Sequence, residues 1–354
     1  MKKQKVVGFY NVLQTSNFED GASSCLSLSG LGRLAPNMLL LGFRAEWDKS
    51  FSKTMEYINI WKKAYDHKLS VIILRLRGGL DFSSHIIDEE LIEAEDVEPA
   101  VAETDSSTRP EMTRKISVEQ SGKKKVSVDR AQVSKLGLAI NMLVFGGAQP
   151  RDVVADIKQF KDKKRRGNID IWWLYDDGGM PVLLSHILHS RQQFAECKLR
   201  VFTLGSEKLA RQANMFSIFT RNIETNMETK HMKDVLTNFR ISTSDITVIS
   251  NMKVNAKPEL WNEFRSSLKN LPKEVVNEND IEKEQEFINK HLRLSEELKK
   301  NSSDAQMIML TLPQQYIGNT NPAIYMASLD FMTRNLPPTL LIGGNNISVL
   351  TSFT

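Results

Sequence analysis

Gly167-Asn168-Ile169-Asp170-Ile171-Trp172-Trp173-Leu174-Tyr175-Asp176-Asp177-Gly178-Gly179 reads as one strand running into a glycine turn. Its apolar residues are nearly continuous rather than alternating, the pattern of a strand covered on both faces of a parallel sheet. Trp172 and Trp173 occupy adjacent strand positions, so one indole is expected under each helical layer. The stretch Met180 to Phe194 that follows is long enough to cross back over the sheet.

Downstream the pattern repeats. Strand-length apolar runs at Leu199–Leu204, Ile246–Ile249, Met307–Leu312 and Thr339–Ile342 alternate with helix candidates at Lys230–Phe239, Pro258–Leu268 and Pro322–Asn335. Alternation of this kind predicts an α/β fold with a doubly wound parallel sheet. Upstream lie two more strands, Asn37–Gly42 and Ser70–Leu76, with helices expected over Gly21–Leu28 and Phe51–His67. The run Ala35 to Gly42 echoes Leu336 to Gly343, each a proline followed by a strand that closes on glycine, which is ordinary punctuation between helix and strand and also what a duplication would leave.

Between the two groups of strands, residues 84 to about 130 hold acidic groups, then Ser, Thr and Pro, then basic groups, with no aromatic residue from Ser83 to Arg130. Such a segment cannot bury a face, so a disordered linker is predicted there. Within it, Ser117 and Ser127 each follow paired basic residues by two positions and are candidates for a basic-directed kinase. The chain is thereby divided into residues 1–83, an N-terminal α/β subdomain, residues 84–143, the variable linker, and residues 144–354, the C-terminal α/β subdomain.

Composition narrows the function classes. The 354 residues carry 47 Lys and Arg against 43 Asp and Glu, a net charge of +4 that is too small to imply nucleic-acid binding. Two cysteines, Cys25 and Cys197, build neither a disulfide scaffold nor a four-cysteine zinc site, so a reducing cytosolic setting is expected. No run approaches the roughly 18 apolar residues of a spanning helix, and the basic start of the chain lacks the apolar core of a signal peptide.

Asp176-Asp177-Gly178-Gly179 falls at the carboxyl end of a strand, where open α/β sheets bind ligands. Two carboxylates there could hold magnesium; equally, one aspartate could cap the next helix while the glycines permit the turn. Neither Gly-x-Gly-x-x-Gly nor Gly-x-x-x-x-Gly-Lys-Ser/Thr occurs, which weakens a nucleotide reading. Gly343-Gly344-Asn345-Asn346 is a second place where backbone amides could cradle an anion, or simply a tight turn. His186 and His189 share a helix face without a third ligand at metal spacing, and no Gly-x-Ser-x-Gly elbow is present. No catalytic, cofactor or metal residue is named, and the chain is read as a non-enzyme.

These stretches also carry a resemblance. Residues 167–179 resemble the "IDVWWLxDDGGL" signature of the cytosolic C-terminal domain of cation-chloride cotransporters, with Trp172, Trp173, Asp176, Asp177, Gly178 and Gly179 as its positions here. Gly30-Leu31-Gly32-Arg33-Leu34-Ala35-Pro36-Asn37 is similar to that family's "GLGRMKPN", and Ile73 to Asp81 to its "VIRLKEGLDI". The nearest branch is the sodium-potassium-chloride and sodium-chloride cotransporters. The resemblance implies two tandem subdomains like universal stress proteins, a homodimer, and a place on the cytoplasmic face of a membrane beneath the transport domain of a multi-pass parent. It implies a regulatory part in electroneutral cation-chloride symport, and so in chloride and cell-volume homeostasis, with regulatory kinases as partners and no transport by this chain alone. The alternative is a nucleotide-responsive sensor of universal-stress-protein type.

The departures from the family are also expectations. The family's strand, helix and strand ahead of the segment matched by Val6-Val7-Gly8-Phe9-Tyr10 have no counterpart, so the N-terminal subdomain is read as truncated. Met215–Thr229 looks inserted, and Asn277–Glu297 lacks a "PW" element of a lid-like region.

Overall fold

The computed structural model describes residues 12–30, 35–77, 166–175, 178–205, 229–249, 254–269, 271–313 and 319–345, with Gly32, Gly79, Phe160, Met252, Ile317, Ile347 and Val349 besides. The expected linker over 84–143 with Ser117 and Ser127, the Val6–Tyr10 stretch, the inserted residues 215–228, and Asp176 and Asp177 lie outside the described residues.

The described elements follow the order α1 (Phe18–Leu28), β1 (Met38–Gly42), α2 (Phe51–Asp66), β2 (Ser70–Arg75), β3 (Asn168–Trp173), α3 (Met180–His189), β4 (Lys198–Leu204), β5 (Asp245–Ile249), α4 (Pro258–Leu268), α5 (Glu278–Lys283), α6 (Gln285–Ser302), β6 (Met307–Thr311), α7 (Pro322–Thr333) and β7 (Thr339–Gly343). A further helical stretch covers residues 229–238. The strands form one seven-stranded sheet in the order β1-β2-β7-β6-β3-β4-β5. β1 runs parallel to β2, and β7, β6, β3, β4 and β5 run parallel to one another. The direction reverses only between β2 and β7, where Val71 faces Gly343 and Arg75 faces Thr339. The reversal thus falls where the strands before residue 80 meet those after residue 163.

Two cores follow from strand alternation. On one face Val71, Ile73, Leu341, Ile308, Leu310, Trp172 and Phe202 join a single apolar cluster with residues of α2, α4, α6 and α7. On the other, Ile169, Ile171, Met307, Met309 and Ile342 are buried, with Met180 and Val182 of α3 over them. Helices therefore cover both faces, and β6, buried at every position, is the continuous apolar strand that such a sheet requires. β1, at the edge, alternates: Leu39 and Leu41 pack inward while Met38 and Leu40 are exposed.

The helices start and stop where local chemistry dictates. Proline opens α4 and α7, and the Asn321 side chain accepts from the Ala323 amide at the start of α7. Lys68, Arg240 and Asn335, which follow helices, take positive φ values of 58°, 57° and 63°. α7 is buried nearly all round because it lies among α2, α4 and α6.

One expectation needs correction. The helix expected over Met180–Phe194 ends at His189, where successive turns Arg191 N to Leu188 O and Phe194 N to Arg191 O replace it. The Asn277–Glu297 stretch falls within α5 and α6, and α6 puts Phe287, Ile288, His291, Leu292, Ser295 and Leu298 into the core at three- and four-residue spacing. Among the described residues no helix is long and apolar enough to cross a membrane.

Candidate functional site at the carboxyl ends of β3, β6 and β7

The signature strand β3 is held by side chains from three elements. Trp172 is fully buried, stacks on Phe202 of β4 with ring centroids 4.5 Å apart, and donates its indole N–H to Ser302 Oγ at 3.0 Å. Trp173 is half-buried, on the opposite face. Asp170, also fully buried, accepts two bonds from Arg200 at 2.7 and 2.6 Å, and Arg200 donates to the Asn301 carbonyl at 3.0 Å. Burial pushes the Asp170 carboxyl above its ordinary range, while Arg200 pulls it down. The pair ties β3 and β4 to the end of α6. These positions of the signature therefore do structural work.

At the carboxyl end, Thr311 of β6 clamps β3. Its hydroxyl donates to the Trp172 carbonyl at 2.9 Å and accepts from the Leu174 amide at 3.2 Å. That bond takes the Leu174 amide out of the ladder, which is why β3 stops at Trp173 and not at the expected Tyr175. Gly178 and Gly179 follow with φ values of 84° and 81°. Two successive left-handed residues suit glycine, which has no Cβ to clash. The N-cap residue of α3 is Gly179, in the left-handed conformation; the capping aspartate considered above is Asp176 or Asp177, which lie outside the described residues.

Beside this turn stands a set of aromatic and basic groups that no local pattern announces. Lys290 of α6 places its ammonium 4.8 Å from the centre of the Tyr175 ring. Phe287 lies 4.2 Å from the His291 ring and 6.1 Å from that of Tyr325. His291 is bonded through Nδ1 to the Phe287 carbonyl at 2.7 Å, and burial lowers it to about 4, so it is neutral at pH 7. Tyr325 is raised well above the ordinary phenol value by burial, and its hydroxyl donates to the Pro313 carbonyl at 3.3 Å.

The second glycine turn arrives at the same end. β7 closes at Gly343, the Leu312 amide donates to the Ile342 carbonyl at 2.7 Å, and Asn345 Nδ2 donates to the Lys68 carbonyl at 2.8 Å. The Ile347 amide donates to Asn345 Oδ1 at 3.2 Å, and the Val349 amide to the Gly178 carbonyl at 3.0 Å. Gly178 and the segment after Gly343, far apart in sequence, are therefore in contact. His186 is exposed, and among the described residues no group of three or more His, Cys, Asp or Glu is placed to hold a metal. Cys25 is exposed on α1 and Cys197 is buried.

A further contact joins the two runs of strands. Arg75, in β2, donates to Asp330 Oδ1 at 2.5 Å, to the Asp330 carbonyl at 3.1 Å and to Thr333 Oγ1 at 2.8 Å, with its guanidinium 4.2 Å from the centre of the Phe43 ring. The partners are more than 250 positions apart in sequence, and no sequence signal relates them.

Comparison with known proteins places the whole chain in one group. The family model Solute carrier family 12 matches residues 1–354. Solute carrier family 12 member 1 of Homo sapiens is 29% identical over 381 residues, covering 99% of this chain and 33% of that protein. The bumetanide-sensitive sodium-(potassium)-chloride cotransporter of Manduca sexta is 29% identical over 394 residues, covering 100% and 36%. Solute carrier family 12 member 2 of Mus musculus is 30% identical over 384 residues, covering 99% and 30%. The chain thus spans about a third of the length of these relatives. Among solved structures, the cytoplasmic domain of a prokaryotic cation chloride cotransporter aligns over 93% of this chain and 70% of that one, with a TM-score of 0.37 and 10% identity.

Proposed function

The chain belongs to solute carrier family 12, and from that membership we propose that it is a cytosolic regulatory and dimerisation domain, or a truncated form, of a sodium-potassium-chloride cotransporter. The observation that carries this reading is the end-to-end family match, residues 1 to 354, together with the full coverage of this chain by the Manduca sexta protein named as a sodium-(potassium)-chloride cotransporter. In this role the sheet is a rigid platform beneath the parent's membrane domain. Its packing against a second copy and against that domain biases transport between two arrangements. Residues 1–83 and 144–354 contribute their strands to that one sheet, and the linker over 84–143 is the regulatory input, through phosphorylation at Ser117 or Ser127.

The test is a chimera in which this chain replaces the matching third of Solute carrier family 12 member 2 of Mus musculus. Chloride-dependent rubidium uptake should exceed that of the same protein cut before the replaced segment, and sedimentation should show the chain as a dimer. Uptake no higher than that of the cut protein overturns the proposal. The nucleotide-responsive reading rests on the glycine turn at the carboxyl end of β3; micromolar binding of ATP by calorimetry would favour it.

A further inference from the structure

Exposed apolar groups are not spread evenly over this molecule. Among the described residues nine large apolar side chains are exposed, and six of them, Val12, Leu13, Phe18, Leu28, Met38 and Leu40, fall within positions 12–40. The fold puts those positions at one edge. β1 ends the sheet and, among the described residues, pairs with β2 alone. α2 meets α1 through Asn59 and Lys63 and meets α7 through Trp61, which points half a turn away, so α1 is the outermost of the described helices in its layer. On α1, Glu19, Ser23 and Leu26 face inward, while Phe18, Cys25 and Leu28 form a second stripe that is exposed, Leu28 at 76%. On β1, Met38 and Leu40 turn outward, Leu40 at 61%, and the strand holds no charged residue or proline of the kind that blunts free edges. β5, at the other edge, begins on exposed Asp245.

We propose that the edge formed by α1 and β1 is the surface through which two copies of this chain associate about a two-fold axis, an inference that rests on the dimerisation proposed above and gives it a place. Three properties select a second copy as the occupant. The first is area. The six side chains leave roughly 600 Å² of apolar surface exposed, the size at which a patch on a monomer marks a contact site. Two such patches set face to face remove on the order of 1,200 Å² from water, the lower bound of a stable interface. The second is form: an exposed helix beside an edge strand projects and offers no groove for a peptide, but it can meet an identical surface across a two-fold axis. The third is charge. α1 carries the acids Glu19 and Asp20 and no Lys or Arg, so an anionic lipid surface, which attracts basic segments, is not its partner. Glu19 is already paired with Lys63 of its own chain, so two copies bring no unpaired like charges together through it.

Sedimentation of the full chain over a dilution series, combined with maleimide labelling of Cys25, tests it. Cys197 is buried, so Cys25 is the thiol that reports on this surface. The expected result is a dimer in which Cys25 reacts several times more slowly than in the dilute monomer. Leu28→Asp and Leu40→Asp each set a charge into the contact and should weaken the dimer by about tenfold or more. Their circular dichroism should match the parent's, because both positions are exposed. Val254→Asp, at an exposed apolar position elsewhere, should leave the dimer intact. A dimer that survives both aspartate variants, or whose formation leaves the Cys25 rate unaltered, overturns the surface and leaves the dimerisation reading standing. So does a Cys25 already protected in the monomer, because another segment of the same chain then takes the patch. A parent chain that stays monomeric at every concentration overturns both, while rubidium uptake by the chimera reports separately on regulation.

Discussion

His291 shows how one residue can carry a pH dependence that no motif marks. It sits in the core on α6 beside Phe287, and burial lowers it from the ordinary 6.5 to about 4. The neighbouring Lys290 ammonium pushes in the same direction, and the bond to the Phe287 carbonyl opposes both. The unfolded chain therefore takes up this proton before the folded one does. Stability contributed by neutral His291 is full above about pH 6.5, is lost as the pH falls through the interval to about 4, and declines there by roughly 1.4 kcal/mol per pH unit. Urea midpoints at pH 7.5, 6 and 5 should fall accordingly in the parent chain. His291→Leu should flatten that fall, and an equal slope in both proteins refutes the assignment.

At the scale of elements, the helices differ in what holds them. α6 and α7 are held by apolar burial, but α1 has no buried residue. It lies against α2 through Glu19, which accepts from Lys63 at 2.6 Å and from Asn59 at 3.2 Å, and through Ser23, which accepts from Lys63 at 2.9 Å, with half-buried Leu26 as its apolar contact with the core. The Lys63 ammonium holds the Glu19 carboxyl below its usual range. A partly exposed ion pair of this kind is screened by salt and adds little to global stability. α1 should therefore detach without unfolding the sheet. In Glu19→Lys, chymotrypsin should cut after Phe18 or Leu26 several times faster than in the parent, with an unchanged urea midpoint, and Lys63→Glu in the same chain should restore resistance. Cleavage at the parent rate would show that the polar contacts do not hold the helix. α6 itself was legible in outline: Phe287, Ile288, His291, Leu292, Ser295 and Leu298 follow helical spacing.

For the whole molecule, the β2–β7 joint is the contact on which the single sheet depends. It combines an antiparallel ladder with the Arg75–Asp330–Thr333 bonds, so residues 1–83 and 144–354 expressed as separate pieces should co-purify. Arg75→Glu sets two carboxylates against each other at the joint and should abolish that association. Independent behaviour of the unmodified pieces would mean that the linker, not the joint, keeps them together. The sequence alone determined the local elements: nearly all strand positions, the proline starts of α4 and α7, the need for glycine at 178 and 179, and through its signature stretches the family. Those are properties of neighbouring residues, set by side-chain spacing and backbone sterics. Only the tertiary structure decided that seven strands share one sheet, that Thr311 ends β3, that His291 is neutral in the core, and that the Val349 amide reaches the Gly178 carbonyl. Each of these joins positions far apart along the chain, and no local pattern records a contact whose free energy appears only when the sheet brings both partners together.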